Sequence, residues 1–272
     1  MASNLLNTTV EDILHEVFET DGAELVVVNP SGDTIEQLVD VSTAYEADLP
    51  AIRMLAKEDT LKDVMGDFIV ASNAADLIDA GVLTMRATEE TPENSLLITD
   101  DRVIALVTAG EIVAGLTTDD ADFVSTATGA YDHAWEEAGD FNLRTPPLTR
   151  VRQTLGTDIS PEAEQDFNAV LASLDTARGD GDGLDEVTIS LLIAAKNEEL
   201  LYDISKWGED VGIASKATFS RTKTRLEDMG IIDTEKVPID VGRPRLRLKL
   251  GREELRDADA DQLAGVATSI LH

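Results

Sequence analysis

The chain has 272 residues, 43% of them hydrophobic, and carries 22 Lys and Arg against 54 Asp and Glu, a formal net charge of −32. That length allows two modest domains or one large one, and the absence of cysteine excludes a disulfide framework and thiolate metal sites. The acids are dispersed among hydrophobic residues rather than gathered in a tail. This argues against disorder and for a halophilic surface, on which hydrated carboxylates keep a protein soluble in concentrated salt. The N-terminal residues lack a basic region followed by a long apolar run, so no signal peptide is expected. No stretch approaches the roughly 18 apolar residues of a spanning helix, and a cytoplasmic protein with no membrane partner is expected.

In chain order, residues 10–19 read as a helix with Ile13, Val17 and Phe18 on one face. Residues 25–29 read as a short buried strand stopped by Pro30 and Gly32. A helix is expected over 34–45, a strand over 50–55, and one long helix over 59–80 that closes at Gly81. Strand-like runs come next at 82–86, 95–98, 103–107 and 112–116, with a hairpin turn at Asp100-Asp101. A helix over 119–138 places Phe123, Ala127, Tyr131, Ala134 and Ala138 on one side. This order predicts an α/β or α+β N-terminal domain over 1–141.

Residues 142–157 contain Pro146-Pro147 and read as a linker. Ser160-Pro161 then begins a helix that aligns Phe167, Val170, Leu171 and Leu174. The loop at 179–183 resembles a calcium loop only in composition: the ligand spacing fails at Leu184, so no metal is expected. None of His15, His133 and His272 sits in a metal-binding context. No Walker motif or glycine-rich phosphate loop appears, and nothing selects a Ser-His-Asp constellation. No catalytic residue and no cofactor is therefore expected, and Tyr131 and Trp135 read as core residues.

The charge is unevenly placed. Residues 1–183 hold 9 basic and 37 acidic side chains, whereas residues 216–249 hold 9 basic and 5 acidic. A positive island in so acidic a chain is where a polyanion would bind. Around it the parts fall in order. A helix over 186–196 buries Val187, Leu191, Ala194 and Ala195. A second helical run carries Leu200, Ile204, Trp207 and Val211, although 200–202 also suits a short strand. Gly212 makes a turn, and Ser215 caps a helix that runs to Met229 and stops at Gly230. Two strands, 231–237 and 246–250, flank a basic turn at 240–245. This is the order of a winged helix-turn-helix, placed over 158–251.

Phe219, Leu226 and Met229 share the core side of the helix after Ser215, with Lys223 between them, its stem packed and its amine reaching out. Lys216, Thr218, Ser220, Arg221, Thr224 and Arg225 are candidates for contact with base edges or phosphates of double-stranded DNA, aided by the helix N-terminus. Arg243, Arg245 and Arg247 are candidates on the wing. Residues 252–272 form a final helix, a candidate dimer element through Leu255, Leu263, Val266 and Ile270, or equally one that packs back on its own domain. A homodimer is expected because one winged helix covers little DNA.

The run Ser215, Thr218-Phe219-Ser220-Arg221, Leu226-Glu227, Gly230 and Gly242-Arg243-Pro244 resembles the DNA-binding domain of many bacterial and archaeal regulators. With the strand at 25–29, the hairpin at 95–107 and the helix through Trp135, the whole chain resembles the haloarchaeal TbsP family of transcriptional regulators, related in architecture to the sugar-sensing TrmB regulators. The resemblance implies control of central carbon metabolism genes and an N-terminal domain where relatives carry an effector site. By position alone a small-molecule pocket is expected there, with no residues assignable. The alternative is an enzyme or partner-binding α/β domain with an appended winged helix.

Overall fold

A computed structural model describes residues 4–20, 22–88, 92–110, 112–178, 184–238 and 244–271. The loop at 179–183 and the wing turn at 239–243, with Arg243, lie outside the described residues. In chain order the elements are β1 (Leu5–Thr8), α1 (Val10–Phe18), β2 (Glu24–Val28), α2 (Gly32–Ala44), β3 (Ala51–Lys57), α3 (Glu58–Val64), α4 (Phe68–Asp79), β4 (Leu83–Thr88), β5 (Leu96–Ile98), β6 (Val103–Ala109), β7 (Ile112–Thr118), α5 (Ala121–Glu137) and β8 (Gly139–Asp140). They continue as α6 (Leu148–Asp158), α7 (Pro161–Ala172), α8 (Glu186–Lys196), α9 (Leu201–Val211), α10 (Lys216–Asp228), β9 (Ile232–Val237), β10 (Arg245–Leu250), α11 (Glu253–Arg256) and α12 (Ala260–Leu271). Two compact units result, residues 1–66 with 73–143 and residues 67–72 with 144–272.

The first unit is a mixed α/β domain built on an eight-stranded sheet of order β1-β7-β6-β5-β2-β3-β4-β8. Strands β2, β3 and β4 run parallel, and the others pair antiparallel. Alternation along β2 divides its side chains between the two faces. Val26 and Val28 pack with Leu96, Ile98, Val103 and Val124 of α5. On the opposite face α1 lies close: a side chain at Gly115 of β7 would meet Ile104 at 3.0 Å and Ile13 at 3.4 Å, so glycine stands where helix and sheet crowd together.

Few cations serve this acidic unit, and they act as internal clamps. Arg53 on β3 donates to Glu24 at 2.6 Å and to Asp132 of α5 at 2.9 Å. Arg86 on β4 donates to the Trp135 carbonyl at 2.6 Å. Both guanidiniums lie over the Trp135 ring, 5.5 and 4.9 Å from its centre, a cation–π arrangement that fastens the end of α5 to the sheet.

The second unit is centred on α8, in which every side chain from Val187 to Ala195 is buried. A one-sided pattern was the expectation. The helix is instead enclosed by α7, α9, α10 and β10, so apolar or small residues stand all round it.

Several expectations are corrected. The helix expected over 59–80 is two, broken at Gly66 and Asp67, where the Asp67 carboxylate accepts from the Ile69 backbone at 2.8 Å and restarts the helix. The segment read as a linker contains α6, whose Leu148, Val151 and Leu155 are buried in the second unit's core. Phe123 is 53% exposed; Val124, Ala127 and Tyr131 make the contact of α5 with the sheet. The final helix is two helices, and α12 packs back on α7 through Leu263, Ala264 and Ala267. Strands β1 and β8 were not expected.

Candidate nucleic-acid interface

Local signals place α10. Gly212 takes φ +98°, a left-handed conformation that glycine adopts without steric cost, and ends α9. Three residues on, the Ser215 hydroxyl accepts from the Thr218 backbone at 3.2 Å and caps α10. Phe219 is wholly buried, and its ring lies against Gly208 of α9 so closely that a Cβ there would stand 2.3 Å from it. Gly208 thus permits the close crossing of the two helices. Nothing in the sequence pattern singled it out except its place inside an otherwise helical run.

With Phe219, Lys223 and Leu226 turned inward, Lys216, Ala217, Ser220, Arg221, Thr224 and Arg225 are exposed and Thr218 is half-buried. Two rows four residues apart, 216-220-224 and 217-221-225, therefore make one outward face with no acid before Asp228. Lys223 behaves as its position implied: its amine reaches Glu227 at 2.8 Å. That contact and the Thr234 hydroxyl hold the Glu227 carboxyl below the usual range, and the Thr234 hydroxyl, donating to Glu227 at 2.7 Å, ties β9 to α10.

Not every candidate is equally available. The Lys216 ammonium pairs with Glu209 of α9 at 2.7 Å, and its backbone N–H donates to the same carboxylate at 3.3 Å. Those two bonds lower the Glu209 pKa. The N-terminus of α10, expected to attract a phosphate, already holds a carboxylate. Arg221 is differently placed: its hydrogen bond goes to the Thr218 hydroxyl at 3.4 Å. Arg225 turns back to Thr188 of α8 at 3.3 Å, while Thr224 donates to the Ser220 carbonyl.

The ribbon of β9 and β10 is antiparallel, with Arg245 opposite Val237, Arg247 opposite Glu235 and Lys249 opposite Asp233. Cations and acids thus share its outer face. Lys249 pairs with Glu235 at 2.7 Å. Arg245 lies over the Tyr202 ring at 4.3 Å and donates to Asp203 at 3.2 Å, so α9 holds the end of the ribbon nearest its turn. Leu200 forms a single bridge with Arg247, which accounts for the strand-like reading of 200–202. Lys236 is a further exposed cation, on β9 within the basic segment.

Helix, helix, turn, outward helix and two-stranded ribbon form a winged helix-turn-helix. Residues 2–146 match the family described as Transcriptional regulator TbsP-like, N-terminal, and residues 147–268 match Transcriptional regulator TbsP-like, C-terminal HTH domain. The chain belongs to the TbsP-like transcriptional regulators. Its second unit holds the C-terminal HTH domain of that family. No curated protein matches the sequence. Among solved structures, TrmBL2, titled an archaeal chromatin protein that shows a novel mode of DNA binding, is similar at 15% identity and a TM-score of 0.37. The match covers 52% of this chain and 55% of that one, so this TbsP-like chain spans about half of that relative's length. Such a likeness is too slight to bear on the site. Among the described residues no helix is long and apolar enough to cross a membrane.

Proposed function

We propose that this regulator reads double-stranded DNA with the outward face of α10, using Ser220, Arg221 and Thr224 for base edges and Lys216, Thr218 and Arg225 for the backbone. Arg243, Arg245 and Arg247 of the wing add backbone contacts. The observation that carries this reading is the outward face of α10, which offers no acidic side chain of its own from Lys216 to Arg225, set in a unit that buries Phe219, Lys223 and Leu226 on the opposite face. Arg and Lys suit guanine edges and phosphates, and Ser and Thr suit either.

The first unit acts as a sensor in this reading. A cleft of about 860 Å³ opens at the carboxyl ends of β3 and β4, beside α5, among Leu55, Lys57, Thr88, Tyr131, Glu137 and Asp140. The carboxyl ends of parallel strands are the usual place for ligands in such sheets. Central carbon metabolism genes, which the resemblance read in the sequence implies, are the targets in this reading. Mapping bound DNA across the genome with and without a sugar tests the whole reading. Discrete sites beside carbon-metabolism genes, with occupancy that responds to the sugar, are expected. Binding without discrete sites would overturn the regulatory reading, and discrete sites indifferent to the sugar would remove the sensor role.

Glu209 acts against DNA in this arrangement, since it occupies Lys216 and the helix end where a phosphate would come. Glu209→Gln keeps an acceptor for the Lys216 backbone but removes the charge. The variant is expected to bind DNA several-fold more tightly, with a slope of log affinity against log salt more negative by about 0.9 than that of the wild type, as one more cation becomes able to neutralise a phosphate. Titration of a labelled operator at several salt concentrations measures both. Weaker binding would show that the pair orients α10 for DNA instead of competing with it.

A further inference from the structure

In the first unit α5 covers only part of one sheet face. It packs over β2, β5 and the start of β6 through Val26, Val28, Leu96, Ile98 and Val103. The strand registers carry that same face outward across β6, β7 and β1. Ala105 stands opposite Leu116, Val107 opposite Ala114 and Ala109 opposite Ile112. Leu5 pairs with Gly115, so Leu6 shares the face of Leu116. On this outer part Leu6 is 61% exposed, Val107 44%, Ile112 51% and Leu116 45%, and Phe123 in the first turn of α5 is 53% exposed.

These are five of the six large hydrophobic side chains exposed among the described residues. The sixth, Tyr202, lies beneath Arg245. Scattered exposed hydrophobic residues need no explanation, but four on one face of three adjacent strands mark an interaction surface.

Charge identifies the occupant. Residues 103–118 contain one charged side chain, Glu111, whereas residues 1–143 as a whole hold 5 basic and 30 acidic ones. DNA has no cation to meet on this face. A basic partner would be drawn to the carboxylates elsewhere on the unit. An equally acidic molecule could approach closely only through a neutral patch, and a second copy offers the same neutral patch in return. A two-fold contact is self-complementary in this way, with one surface serving both subunits. We propose that the uncovered β6-β7-β1 face is where two copies of this chain dimerise. The alternative element, α12, already spends Leu263, Ala264 and Ala267 within its own unit. The inference does not rest on the DNA reading, although a two-fold dimer would present two α10 helices to paired half-sites.

Sedimentation equilibrium of the full chain at tens of micromolar in molar KCl tests it. The wild type is expected to be a dimer that tightens as salt rises, because screening removes repulsion between the acidic rims. Leu116→Asp and Val107→Asp would bury uncompensated carboxylates, and each is expected to raise the dimer dissociation constant at least about a hundredfold. The milder Leu116→Ser is expected to raise it less. Because these side chains are exposed, the melting temperature of each variant, extrapolated to low concentration, is expected to match that of the wild type. Tyr202→Ser, on the other unit, is expected to remain dimeric. A monomeric wild type, or dimers that survive both aspartate substitutions, would overturn the proposal, as would dissociation caused equally by Tyr202→Ser.

Discussion

Replacing Arg221 with alanine is expected to cost about 1–3 kcal/mol of specific DNA affinity, roughly tenfold to a hundredfold, and to relax base preference at one position. Arg221 lies on the exposed row of α10, nearly two turns past the Ser215 cap. Its hydrogen bond is a long one, 3.4 Å to the Thr218 hydroxyl, which is cheap to give up. Lys216, by contrast, must leave a 2.7 Å ion pair, Lys249 another, and Arg245 both an aromatic face and a carboxylate. A guanidinium that gives up little on binding keeps most of what it gains from two hydrogen bonds to a guanine. The side chain is exposed, so the melting temperature should not move, which separates lost readout from lost fold. The measurement is affinity against a set of single-base operator variants. Unchanged affinity and preference would remove Arg221 from the interface.

What could be read in the sequence was local. Ser215, Gly212 and Gly230 are cap and turn residues whose roles depend on near neighbours, so the bounds of α10 follow from residue type and its buried face from spacing. What could not be read depends on partners distant in the chain or in space. Gly208 matters because Phe219 crosses it. Asp203 and Arg245 are 42 residues apart, and nothing in either context announces their pairing. The segment before Ser160 looked like a linker because Pro146-Pro147 is a chain breaker and residues 149–158 are largely polar. Yet Leu148, Val151 and Leu155 already stood at helical spacing, and the Trp207 indole donates to Thr154 from α9. A proline pair that ends one element can stand immediately before the next. The apolar pattern over 59–80 continues on both sides of Gly66, so the stretch reads as one helix. The buried Asp67 carboxylate, bonded at short range to the Thr176 hydroxyl, fixes the break by contacts that sequence spacing does not reveal.

Thermal stability and DNA affinity per folded molecule are both expected to fall when salt drops well below molar, the reverse of ordinary DNA-binding proteins. Ordinarily each phosphate neutralised releases a counterion, and affinity declines as salt rises. Here Lys216, Arg245 and Lys249 are held by Glu209, Asp203 and Glu235. Contacts by these cations would exchange a carboxylate for a phosphate and release few ions, so the ordinary salt dependence is weakened at its source. The remaining term is repulsion. Residues 1–183 carry 9 basic against 37 acidic side chains, and Arg53, Lys62, Arg86 and Arg102 of the first unit are already paired with acids. At 1 M salt the screening length is about 3 Å, so neither the unit's own carboxylates nor a DNA phosphate feels this charge at a distance. At 0.1 M it is about 10 Å, long enough for neighbouring surface acids to repel one another and for the whole unit to repel DNA. A paired series of melting temperature and operator affinity from about 0.1 to 2 M KCl, spanning that change in screening, measures both effects on the same protein. A chain fully folded at the low end of the series that binds DNA more tightly there than at the high end would show that the carboxylates are not an adaptation to salt and serve some other purpose.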